Sequence, residues 1–148
     1  MNTRFQDLVA ENWTRAVAEA SFNFSAYEPE VIASLGAIDP EERSAAVAVA
    51  LEANACHLHD RILALFHDEN EHVRHEVLEY IAECGTPKDC HKLIKHLRTH
   101  EHSFNTCLAL VRASGLTGPV IDDDDSDLEK ERLVSEWELL LRKHGLLR

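Results

Sequence analysis

Apolar residues recur at three- and four-residue spacing from the start of the chain, through Phe5, Leu8, Val9, Trp13, Ala16 and Val17. That period predicts an amphipathic helix over residues 3–20, with Thr3 as its N-cap. Residues 21–27 (SFNFSAY) break the period with Asn and Ser between aromatics, which predicts a loop pinning Phe22, Phe24 and Tyr27 into neighbouring helices. A longer repetition follows. Val47, Val77 and Cys107 are spaced by thirty residues, as are Ala48, Leu78 and Leu108, and Leu51, Ile81 and Val111. Gly85 and Gly115 share the spacing, each closing an apolar helical stretch where a left-handed residue is favoured. A shorter apolar group precedes each stretch: Val31, Ile32 and Leu35; Ile62, Leu63 and Phe66; Leu93, Ile94 and Leu97. Each unit reads as a helix, a polar turn (39–42, 68–71, 98–101) and a second helix. Neither helix of such a pair buries its apolar face alone, so neighbouring units must stack. After Gly115 the pattern changes to an acidic run, Asp122–Asp125 with Asp127, and then to a helix over 129–143 capped by Ser126 or Asp127.

Composition narrows this picture. The chain has 148 residues, 45% of them apolar, which suits one domain over 1–148 with a real core. Five glycines and four prolines are few for an all-β chain with its many tight turns. No apolar run approaches the roughly 20 residues that cross a bilayer, so no membrane role is expected. The expected fold is all-α, a short α-solenoid with an N-terminal cap (1–27), three repeats (28–55, 56–85, 86–115) and a C-terminal loop and cap helix (116–148). Residues 1–10 lack the basic start and apolar stretch of a secretory signal, which predicts a cytoplasmic protein and four reduced cysteines. The net charge of −12 argues against nucleic acid, whose phosphates demand basic contacts.

The middle unit, residues 58–85, resembles a HEAT-like repeat. The resemblance lies in its apolar first helix, Asp68 in the turn, the Val73-Arg74 pair opening the second helix, and the closing Gly85. The preceding unit keeps Asp39, Pro40 and Arg43; the following one keeps the apolar frame, with Ser103 and Phe104 in place of Val and Arg.

Ten histidines invite a metal reading, and His96 and His100 stand one helical turn apart. No HExxH motif or paired CxxC accompanies them, so solvated or capping histidines and no metal are the expectation. Val73-Arg-His-Glu-Val77 is similar to the His-Glu motifs of deoxyhypusine hydroxylase, a HEAT-repeat enzyme with a di-iron centre. That resemblance implies further His-Glu pairs at equivalent positions, where this chain has Ala45-Ala46 and Asn105-Thr106. DNA glycosylases on HEAT-like repeats are basic, unlike this chain. There is no GxSxG elbow and no Gly-rich phosphate loop, so no catalytic residue and no cofactor are predicted.

In HEAT-like stacks the second helices line the concave face. On the middle one, Val73, Val77, Leu78 and Ile81 form the core stripe, leaving His72, His75, Glu76, Glu79, Tyr80 and Glu83 on the complementary face. The equivalent helix of the first unit is apolar all round, which predicts cover by the N-terminal helix. Residues 1–55 carry nine acids against three bases, and 121–148 nine against five, a field suited to steering a basic partner. The chain therefore reads as a non-catalytic protein-binding module, similar in size and charge to bacterial immunity proteins that inhibit a basic toxin or effector. Glu76, Glu79 and Glu83 would pair with partner cations and Tyr80 would anchor the contact, with Asp122, Asp123, Asp124 and Asp125 as the second surface. The alternatives are a metal- or cofactor-handling HEAT-repeat enzyme, hydroxylase-like or akin to phycobilin lyases, and a scaffold subunit of a larger assembly.

Overall fold

The computed structural model describes residues 4–147. Among them the chain is all-α, with nine helices, two 3-10 turns and no strand. Its backbone groups into two compact units, residues 1–80 and 81–148.

The first unit opens with α1 (Phe5–Glu11) and α2 (Trp13–Phe22), where the apolar period predicts one helix. Asn12 makes the break: it is extended, and its side chain accepts a hydrogen bond from the Arg15 amide, capping α2. Thr3, the expected N-cap, lies outside the described residues. The expected loop at 21–27 is helical except at Asn23, after which α3 (Phe24–Ser34) begins. Phe22, expected in the interior, is 95% exposed. A single-residue break leaves it pointing outward at the end of α2, because the helix period carries it off the buried face of Ala16, Val17 and Ala20.

Asp39 caps α4 (Pro40–Glu52) by accepting from the Glu41 amide, with Pro40 at the first helical position. Residues 43–50 of α4 are buried without interruption, as an all-round apolar helix requires, and α1, α2 and α3 pack against it. Arg43 is the one charged residue in that run. Its guanidinium makes two bonds to the Asp68 carboxylate, at 2.8 and 2.9 Å, and two more to the carbonyls of Ala37 and Ile38. A 3-10 turn (Cys56–Leu58) leads into the short α5 (His59–Leu63), and α6 (Glu71–Cys84) follows. The Asn70 side chain caps α6 by accepting from the amides of His72 and Val73.

The second unit contains a 3-10 turn (Pro87–Asp89), α7 (Cys90–Leu97), α8 (Ser103–Ser114) and α9 (Asp127–Lys143). Leu93, Ile94, Leu97, Leu110, Trp137 and Leu141 are fully buried there. Trp137 donates its indole N–H to the Pro119 carbonyl, and its ring occupies the space a side chain at Gly118 would need. Ser126 caps α9, in agreement with the acidic run before it. Gly115 ends α8 with a φ of +71°, so Gly115→Ala is expected to cost about 1 kcal/mol, read as a lower urea midpoint at unchanged slope.

Cys56 and Cys84 are disulfide-bonded, which corrects the expectation of four reduced cysteines. Pairing depends on where the fold carries each sulfur, which sequence spacing does not reveal. Cys90 and Cys107 are free and buried; burial pushes the Cys90 thiol up to about 11, the signature of an inert core cysteine. Among the described residues no helix is long and apolar enough to cross a membrane.

Candidate functional site

The first unit carries a groove of about 590 Å³ between α2, α4 and α6. Trp13, Val17 and Phe22 of α2 line it together with Ala48 and Leu51 of α4. Three carboxylates enter it: Glu52 at the end of α4, and Glu76 and Glu79 one turn apart on α6. Its lining therefore combines apolar and aromatic side chains with three carboxylates.

The lining is fixed locally. Trp13 donates its indole N–H to Ser44 Oγ at 3.1 Å, and its ring lies 5.7 Å from the His72 imidazole, tilted by 34°. His72 Nε2 in turn stands 3.3 Å from Glu76 Oε1, an i,i+4 pair on α6. His75 Nε2 is 3.5 Å from Glu79 Oε1 in the same relation. The helix period places Glu76 beside the core stripe of Val73, Val77 and Leu78, so it is only 7% exposed. Burial raises its carboxyl to about 7, helped by the neighbouring charges of Glu79 and Glu52. A group so perturbed in a cleft marks a place where added positive charge would be welcome.

Of the residues expected at a binding surface, Glu76 and Glu79 line the groove, and His72 and His75 pair with them along α6. The donor atoms of His75, Glu76 and Glu79 all lie within 4.8 Å of one another, so this triple has the geometry to hold a cation. Tyr80 has a different role from the anchor expected of it. It is fully buried and its hydroxyl donates to the Ala55 carbonyl at 2.8 Å, so it belongs to the core. Glu83, near the end of α6, is exposed to solvent.

Asp122, Asp123 and Asp124 are exposed, and Asp125 is half-buried. Their carboxylates are engaged with backbone: Asp125 accepts from the Asp122 amide, Asp122 from the Asp124 amide, and Asp123 from the Phe104 amide in the first turn of α8. The acidic run thus builds its own turn and caps α8, where negative charge suits the helix dipole.

Sequence reasoning missed Trp13, Phe22 and Glu52 as groove residues. Trp13 sits on the apolar stripe and reads as core; Phe22 reads as a pinned loop residue. The available signal was Glu52, the carboxylate closing an otherwise apolar helix. The histidine pairing also differs. His100 Nδ1 faces Asp127 Oδ1 at 3.3 Å rather than His96. Comparison of the chain with protein-family models, with curated proteins and with solved structures gives no match.

Proposed function

We propose that this chain is a non-catalytic protein-binding module made of HEAT-like helical hairpins with helices capping both ends. It acts as an immunity protein or inhibitor, neutralising a basic toxin or effector in the cytoplasm. The single observation that carries the binding role is the acidic groove. Glu52, Glu76 and Glu79 converge there beside an exposed Phe22, and Glu76 holds its proton up to about neutral pH. A Lys or Arg from a partner entering the groove would relieve that repulsion while its alkyl stem packs on Trp13 and Phe22. Exposed aromatic area beside charge is the composition of an interface centre. The HEAT-like part rests on the thirty-residue spacing and on Arg43 of one hairpin pairing with Asp68 in the turn of the next.

The test is affinity capture from the native host, first at about 50 mM and then at about 500 mM salt, where screening shortens to a few ångströms. A basic protein retained at low salt, weakened at high salt and lost by Glu79→Lys and Phe22→Ser is expected. Capture indifferent to salt and to both substitutions removes the groove as the binding surface.

The cation-holding geometry of His75, Glu76 and Glu79 favours a second reading, a metal- or cofactor-handling protein. Stoichiometric iron or zinc in the purified protein, lost on Glu79→Gln, would decide for it.

A further inference from the structure

A second cluster lies in the turn between α7 and α8, far along the chain from the groove residues. His96, near the end of α7, Glu101 in the turn, and His102 at the N-cap of α8 bring their donor atoms within 4.8 Å of one another. His96 Nε2 and His102 Nδ1 each stand 3.8 Å from the same oxygen, Glu101 Oε1. Those separations exceed a hydrogen bond or a close ion pair. They approach the edge of a coordination tetrahedron, roughly 3.4 Å for bonds of about 2.1 Å.

The backbone sets this convergence. His100 and His102 both adopt left-handed conformations, with φ of 64° and 50°, in a turn without glycine. Non-glycine residues seldom accept that region, and such residues gather at functional sites. The surroundings hold the turn in place. The Thr99 hydroxyl donates to the His96 carbonyl at 2.6 Å and accepts from the Glu101 amide, while both the amide and the hydroxyl of Thr106 donate to the His102 carbonyl. The left-handed turn at 102 sets the imidazole direction at the start of α8; a right-handed one would redirect it. His96 is nearly buried and the other two side chains are partly so, which shelters the three donors from bulk water.

We infer that His96, Glu101 and His102 form a binding site for a divalent transition-metal ion, zinc first. Two imidazole nitrogens and one carboxylate are the donor set such an ion takes, and they leave a fourth position for water or a partner's side chain. The carboxylate offsets one of the two positive charges. This site is independent of the groove and of its role in binding.

The experiment titrates zinc ion alone into the full chain, after removal of bound metal with a chelator, by calorimetry. Cobalt is added in parallel for its visible absorption in a tetrahedral field. One ion per chain is expected. Glu101→Gln keeps the side-chain shape, and His102→Asn keeps a residue tolerant of the left-handed region. Each should weaken binding about tenfold or more while leaving the helical circular dichroism intact, as loss of a ligand does. The control His75→Ala with Glu79→Gln should bind as the unaltered chain does. Absence of stoichiometric zinc binding overturns the inference. So does binding unaffected by both Glu101→Gln and His102→Asn, or binding lost only in the His75 and Glu79 control.

Discussion

Asp68→Ala is expected to lower the unfolding free energy by about 3–5 kcal/mol, far more than loss of an exposed ion pair. The reason lies in what is left behind. Arg43 and Asp68 have side chains only 9% and 6% exposed, and the carboxylate takes two of the four hydrogen bonds made by the guanidinium. Removing it strands a buried cation. Asp68 also accepts from the Asn70 amide, and its own carbonyl accepts from Arg74, so the turn before α6 is organised around this residue. Burial by itself would raise the Asp68 carboxyl, but hydrogen bonds from Arg43 and Asn70 and the charges of Arg43 and Arg74 prevail and hold it below the usual range. A depressed carboxyl stabilises the fold fully above its unfolded pKa of about 3.9 and loses that contribution as pH falls through the lower folded value. Urea unfolding at neutral pH measures the loss. Replacing both partners with apolar residues, Arg43→Met with Asp68→Leu, should recover only part of it, because the carbonyls of Ala37 and Ile38 would still lack their donor. A cost under about 1 kcal/mol would mean the pair behaves as a solvated surface contact.

Glu76→Gln is expected to act in the opposite sense and to stabilise the protein. The folded carboxyl, raised to about 7, retains a proton that the unfolded chain releases near pH 4.5. Between those values the folded state binds more protons than the unfolded one, so stability falls as pH rises. The penalty is absent below about pH 4.5, grows through the interval and is complete above about pH 7. It amounts to about 2 kcal/mol once partial access to solvent is allowed for. The neutral amide never meets it. At pH 8 the variant should therefore be about 2 kcal/mol more stable, melting roughly 4–8 °C higher, than the unaltered chain, and the two should converge only below about pH 4. Equal pH slopes for the two proteins would show that Glu76 carries no penalty in the fold. Such a stored penalty is the expected cost of a binding site: function is kept at the expense of stability.

Much of the framework was legible because it is local. The three- and four-residue apolar period located the helices, Ser126 marked a helix start, Gly115 marked an end, and the unbroken apolar run in α4 required cover on all sides, whereas α4 already begins at Pro40, inside the turn expected at 39–42. The errors also have local causes. Asn12 and Asn23 compete for backbone hydrogen bonds over one residue each, too briefly to disturb the period that predicts a helix over 3–20 or to justify a loop at 21–27. The α6 face was placed one notch off. Tyr80 and Glu76 flank the core stripe, and a helical wheel does not say how wide the neighbouring helices make the buried sector.

The sequence by itself determined the helical class, the thirty-residue spacing of its apolar stretches and the acidity of the chain, since propensity, periodicity and charge are properties of neighbours along the backbone. Only the tertiary structure decided that Glu52 of α4 joins Glu76 and Glu79 of α6 beside Phe22, that Tyr80 serves the core, and that His102 rather than His100 turns toward Glu101 with His96. Those outcomes depend on the direction of side chains from separate elements and on two left-handed residues. Charge and spacing counted along a chain carry no information about direction.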